Sequence, residues 1–252
     1  MKINPNVLRN HILDMVYNKQ SGHIGGSFSI CEIIAYLYSN YDLINKDKLI
    51  LSKGHGVPAI YAALYELGYI KNLDMFREIN SPLQGHPDKN ALSYIHATTG
   101  SLGQGLSISI GHALACKLLG IDKNIFCIVG DGELQEGQIW EALMLAPKLK
   151  LENLTCFVDY NNFQNDGELK IDLSNLIQHA NLFGWDCYMI NGNDIDQING
   201  VMVSCDYVVK PSFVILRTIK GKGVSFMENN PIWHASVPNK EEYARAKKEL
   251  ML

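Results

Sequence analysis

NIFCIVGDG (124–132), together with LTCFVDYNN (154–162), decides the fold. The first stretch is a continuous apolar run, Asn124 to Val129, that ends on an aspartate flanked by glycines. The second, Leu154 to Val158, leads to Asn161, thirty positions after Asp131. Between them Ile139, Trp140, Leu143 and Met144 recur at helical spacing, so the unit reads β-α-β. Strands in such a unit are parallel and open their carboxyl ends on one edge, where open α/β sheets place ligands. A carboxylate and an amide oxygen meeting there, beside glycines that let backbone approach a phosphate, suit Mg²⁺ or Ca²⁺ carrying a diphosphate. A GDG triplet alone is a turn; GDG, a helix and a strand ending in NN form a motif.

The rest of the chain extends this pattern. Pro5, then Leu8, Ile12, Met15 and Val16 on one face, predict an opening helix. A glycine-rich break, SGHIGG (21–26), follows, and Ser29 with Glu32 has the spacing of a capping box for a helix through Tyr38. Leu49 to Leu51 reads as a short strand leading into SKGHG (52–56), with Pro58 in the first turn of the next helix. A polar loop holds Gly85-His86-Pro87. TTGSLGQG (98–105) then opens a long helix that ends near Gly120. Helices around Leu176–Phe183 and 195–205 alternate with strands near Cys187–Ile190 and Ser212–Leu216. No repeat or linker interrupts the series. The expectation is one domain over 1–252, an α/β doubly wound, mostly parallel sheet with helices on both faces.

Composition excludes several classes. At 252 residues and a net charge of −4 the chain has length for a core but no basic field for nucleic acid. Lys247 and Lys248 alternate with Glu241, Glu242 and Glu249, the pattern of a solvated helix. No apolar run reaches membrane-spanning length, and the amino terminus lacks the apolar stretch of a signal peptide. Six cysteines are scattered with no CxxC pair, and Cys127 and Cys156 fall inside strand runs, so reduced buried thiols and a cytoplasmic location are expected.

Three histidines, His23, His55 and His86, each follow a glycine, and His234 lies in a polar segment near the end. Imidazoles bind phosphate and sugar hydroxyls and move protons near neutral pH, as chemistry on a polyol requires. His11, His96, His112 and His179 read as structural.

In order along the chain, SGHIGG, KGHG (53–56), GHP (85–87), TGSLGQG (99–105), GDGELQEG (130–137), VDYNNFQNDG (158–167), GW (184–185), GND (192–194) and GKG (221–223) resemble the N-terminal third of transketolases. The likeness covers nearly the whole chain and is strongest to the N-terminal subunit of two-chain transketolases. It implies thiamine diphosphate and Mg²⁺ or Ca²⁺ as cofactors and transfer of a two-carbon ketol unit from a ketose to an aldose. Carried over, it makes Asp131, Asn161 and the Phe163 carbonyl the metal ligands, and Gly130 and Gly132 the diphosphate contacts. Gly100, Ser101 and Leu102 would meet the aminopyrimidine. His23 and His86 would serve substrate hydroxyls and proton transfer, His55 and His234 the diphosphate side and the reacting centre. Glu136 and Glu141 would join a carboxylate network between paired active sites.

The resemblance also implies a separate C-terminal subunit with the pyrimidine-binding domain, in an α₂β₂ assembly acting on sugars or sugar phosphates. This sequence departs from the family at Ala235, where glycine is usual after the histidine. Asn165 stands where an apolar residue often packs against the thiazolium, and Phe163 replaces leucine or isoleucine. The α subunit of a 2-oxoacid dehydrogenase and a deoxyxylulose-phosphate-synthase type share GDG…NN but not SGHIGG, GHP and TGSLGQG. A non-catalytic structural or regulatory subunit is the remaining alternative.

Overall fold

The computed structural model of the chain describes residues 2–165 and 167–251. Three helices open it: α1 (Pro5–Lys19), α2 (Ile24–Phe28) and α3 (Cys31–Asn40). There follow β1 (Lys48–Leu51), α4 (Val57–Glu66), α5 (Gln104–Leu119), β2 (Ile125–Gly130), α6 (Gly137–Lys148) and β3 (Leu154–Tyr160). A two-residue-per-strand hairpin, β4 (Phe163–Gln164) and β5 (Gly167–Glu168), precedes α7 (Leu176–Phe183), β6 (Asp186–Asn191), α8 (Ile195–Cys205), β7 (Ser212–Arg217) and α9 (Lys240–Leu250).

The main sheet has the order β1-β2-β3-β7-β6 with every pairing parallel. Its central strands are buried on both faces, which is why they read as unbroken apolar runs rather than alternating ones. Successive side chains still point to opposite faces. Phe126, Ile128, Phe157, Val214 and Leu216 join the core beneath α1, α3, α4 and α8. Cys127, Val129, Cys156, Val158, Phe213 and Ile215 join the core beneath α5, α6 and α7. The doubly wound arrangement expected from the sequence is the one observed.

Three local expectations are corrected. The glycine-rich stretch after His23 is not a simple break: residues 24–28 form the short helix α2, packed without solvent exposure. Ser29 and Glu32 form no capping box. The Ser29 hydroxyl donates to Asp159 at 2.7 Å, and Glu32 receives Arg9 at 2.7 Å, so tertiary partners claim both side chains. Met144, placed on the apolar face of α6 by spacing, is half exposed, while Ile139 and Leu143 are buried as that spacing requires.

Candidate active site

Four strands deliver their carboxyl ends to one edge of the sheet. Beyond β1 come Ser52, Lys53 and His55; beyond β2, Asp131 and Gly132; beyond β3, Asn161; beyond β7, Thr218 and Lys220. Most of these residues, with His23, His86, Gly100, Leu102, Glu133, Phe163, Gln164, Asn165 and His234, line a cleft of about 780 Å³, counting its opening to solvent.

The four expected histidines meet in this cleft. His23 is central, with ring centroids 5.5 Å from His55, 5.8 Å from His86 and 5.4 Å from His234. His55 and His234 lie 5.2 Å apart. Close approach of backbone makes the cluster possible. A Cβ on Gly25 would fall 2.8 Å from the Trp233 carbonyl, so only glycine lets α2 touch the segment carrying His234. Burial and nearby cations disfavour the protonated form of all four rings. Burial, then the Arg77 charge and the neighbouring histidine and lysines, lowers His23 to about 4. Burial and Lys220 lower His234 to about 3; burial, then Lys53, pushes His55 well down; burial and Arg77 lower His86. Among the described residues His23 Nδ1 is buried without a hydrogen-bond partner. His234 Nδ1 lies 3.0 Å from Lys220 Nζ; the ammonium donates, which leaves the ring proton on Nε2.

Asp131 caps the turn after β2. Its Oδ1 accepts from Gly132 N–H at 2.8 Å, and its Oδ2 from Asn161 N–H at 2.8 Å and Asn162 N–H at 2.6 Å. Asn161 donates through Nδ2 to Asp159 at 3.1 Å, and its Oδ1 accepts from Phe163 N–H at 3.1 Å. Burial and the Asp159 charge push the Asp131 carboxyl up to about 7 against those backbone donors. A divalent cation would relieve that unfavourable burial of negative charge, and a carboxylate, an amide and a carbonyl are the hard oxygen donors Mg²⁺ and Ca²⁺ take. Among the described residues no three His, Cys, Asp or Glu side chains cluster as a metal site. A site made of Asp131, Asn161 and the Phe163 carbonyl contains only one residue of those types. The donor set therefore fits the metal, and Lys220, in the same cleft, fits the charge of a diphosphate.

Gly100, Leu102, Gly130 and Gly132 line the cleft with these groups. Ser101 is exposed and does not line it, and Glu136 and Glu141 are exposed outside it, ahead of α6 and within α6. The glutamate that does enter the cleft wall, beside Asp131, is Glu133, 2% exposed. Sequence reasoning passed over Glu133, Lys220 and Asp159. Lys220 could have been found, because it follows the apolar run of β7 at the same edge as Asp131 and Asn161. It is 1% exposed and donates to the Gln164 carbonyl at 3.0 Å, and burial with the Lys53 charge lowers it to about 8.

Residues 2–252 match the family described as transketolase, thiamine diphosphate binding domain. The chain is 40% identical over 258 residues to the 6-deoxy-6-sulfo-D-fructose transketolase subunit SqwG of Clostridium sp. (strain MSTE9), covering 97% of this chain and 94% of that protein. It is 36% identical to an apulose-4-phosphate transketolase subunit of Phocaeicola vulgatus, covering 96% and 90%. The crystal structure of transketolase from Campylobacter jejuni superposes with a TM-score of 0.92 at 31% identity, over 98% of this chain. The chain spans 42% of the length of that solved structure.

Proposed function

The chain belongs to the transketolase family through its thiamine diphosphate-binding domain, and from that premise we propose that it is the N-terminal subunit of a two-chain transketolase. Folded as one diphosphate-binding domain, it works with a separate C-terminal subunit that carries the pyrimidine-binding half, in an α₂β₂ assembly. The assembly moves a two-carbon ketol unit from a ketose to an aldose. The observation that carries this reading is the convergence of four histidines with Asp131 and Asn161 in one cleft. That the relatives whose length it nearly fills are named subunits supports the division of labour.

Thiamine diphosphate, when bound, supplies a nucleophilic thiazolium carbon and an electron sink for carbon–carbon bond cleavage. The protein's own side chains hold and orient. Asp131, Asn161 and the Phe163 carbonyl would hold Mg²⁺, or Ca²⁺ in its place, and Lys220 would neutralise diphosphate charge. Gly100 and Leu102 would offer backbone groups to the aminopyrimidine. His23 and His86 bind the hydroxyls of the sugar, and His23 Nδ1, buried with no partner among the described residues, accepts a hydroxyl proton. His55 and His234 line the reacting centre; the Nε2–H of His234 donates to a sugar oxygen. Among the described residues no helix is long and apolar enough to cross a membrane. Six unpaired cysteines, five of them buried, suit a reducing cytoplasm.

The test is reconstitution. The isolated chain should bind thiamine diphosphate and Mg²⁺ weakly and show no ketol transfer. Titration with the C-terminal subunit should restore activity with an endpoint at one to one. Ketol transfer by the purified chain alone would overturn the two-chain reading.

A further inference from the structure

Glu133 is a buried carboxylate with no ion-pair partner among the described residues. It lies in the turn Gly132–Gln135, between Asp131 and α6. Its Oε1 accepts from the Ser52 hydroxyl and from Gly103 N–H at 2.8 Å; its Oε2 accepts from Gly130 N–H at 3.0 Å. Three segments far apart in sequence therefore end on one carboxylate: the exit of β1, the turn before α5 and the exit of β2. The Ser52 hydroxyl in turn accepts from Gly105 N–H at 3.0 Å. A second bond, Thr99 Oγ1 to the Leu51 carbonyl at 2.6 Å, holds the start of the same turn against β1.

What these bonds align are the two walls of the cleft. Gly100 and Leu102, in the turn, form one wall; Gly130, Asp131 and Gly132 form the other. The turn has little rigidity of its own. Gly100 and Gly103 both adopt positive φ, +143° and +89°, so its path depends on outside contacts. We propose that Glu133 is a positioning residue that fixes the Gly100–Leu102 wall in register with Asp131 and Gly132, so that one ligand can contact both at once. The proposal rests on the reading that thiamine diphosphate spans these walls, and it assigns Glu133 no contact with the cofactor.

The carboxylate form is required by hydrogen-bond geometry. Three donors converge on two oxygens, and a glutamine has only one. If its oxygen faces Ser52 and Gly103, its NH₂ meets Gly130 N–H, donor against donor. In the flipped orientation Gly103 loses its acceptor. Either way one wall is released while side-chain volume is unchanged.

The experiment compares wild type, Glu133→Gln and Ser52→Ala in the complex with the C-terminal subunit. It measures binding of thiamine diphosphate with Mg²⁺, and of inorganic pyrophosphate with Mg²⁺, by calorimetry, then cofactor KM and kcat at saturating cofactor. Expected for Glu133→Gln is a loss of thiamine diphosphate affinity of at least about tenfold, on the scale of other outer-shell partners. Pyrophosphate affinity should move less than about threefold, and kcat at saturating cofactor and the KM for sugar should stay near wild type. Ser52→Ala, which leaves Gly103 and Gly130 their carboxylate acceptor, should show the same pattern with smaller amplitude. Equal losses for both ligands, or a lowered kcat with cofactor affinity intact, would overturn the positioning role. A wild-type complex that binds no thiamine diphosphate would instead overturn the functional reading on which the proposal stands.

Discussion

Lys53 and Asp159 meet as an ion pair closed to solvent, 1% and 0% exposed, directly behind Asn161. Asp159 also accepts from Ser29, Asn161 and Thr218. Lys53 gives a further bond to the Gly26 carbonyl at 2.9 Å. The pair thus joins the exits of β1, β3 and β7 to helix α2.

Removing one member of such a pair strands the other. Lys53→Met should destabilise the chain by about 3 kcal/mol, the usual scale for an uncompensated buried charge. Lys53→Met/Asp159→Asn should cost at least about 1 kcal/mol less than the sum of its single variants. Urea unfolding of the four proteins checks this, and strict additivity would show that the two charges act independently.

Asp131→Asn preserves size and one oxygen while removing the charge. It should weaken Mg²⁺-dependent thiamine diphosphate binding more than about 100-fold, beyond what loss of an outer-shell partner does. Calorimetry on the reconstituted complex reads it directly. Asp131→Ala is a poorer test, because it strips the acceptor from Gly132, Asn161 and Asn162 together, whereas asparagine keeps one oxygen for Asn161 and Asn162 and opposes only Gly132. Unchanged affinity in the asparagine variant would remove Asp131 from the metal site.

His86 is the exposed member of the histidine cluster. His86→Ala should cut turnover by about 10²-fold, the scale of a positioned acid–base group. Its melting temperature should stay within a few degrees, since exposed positions seldom carry more than about 0.5 kcal/mol. A collapse in thermal stability with proportionate activity in the surviving protein would make the residue structural.

The lowered histidines also predict how stability follows pH. His23 titrates near 4 and His234 near 3 in the folded chain, against 6.5 unfolded. Below 6.5 the unfolded chain takes up protons that the folded chain refuses. Their contribution is therefore fully present above about pH 6.5 and declines as pH falls toward 4. The slope is at most about 1.4 kcal/mol per pH unit for each histidine. Urea midpoints at pH 7, 6 and 5 should fall in that order, and less steeply in His23→Gln. An identical slope in that variant would mean that His23 does not titrate with folding.

Much of this architecture is legible in the residues. The runs at 124–129 and 154–158 are apolar throughout because β2 and β3 are covered on both faces, and that signal survives without knowledge of partners. Glycine-histidine spacing exposes His23, His55 and His86 because glycine marks where backbone must crowd. What stays hidden is decided by contacts across the fold. Ser29 and Glu32 have capping spacing, yet Asp159 and Arg9 take them. Lys53, Glu133 and Asp159 carry no local signal of burial, and only the convergence of the strand ends encloses them. The hairpin of β4 and β5 has two residues per strand, too few to show a period.

The bonds that build the cleft wall span long stretches of chain: Ser29 to Asp159 across 130 residues, Lys53 to Asp159 across 106, Ser52 to Glu133 across 81. Loops of that size must close before any of these contacts can form, so the wall rests on non-local contacts and no isolated turn or hairpin can reproduce it. No fragment that ends before Asp159 can contain all three. The ability to hold a cofactor is accordingly a property of the assembled chain, built from segments 81 to 130 residues apart.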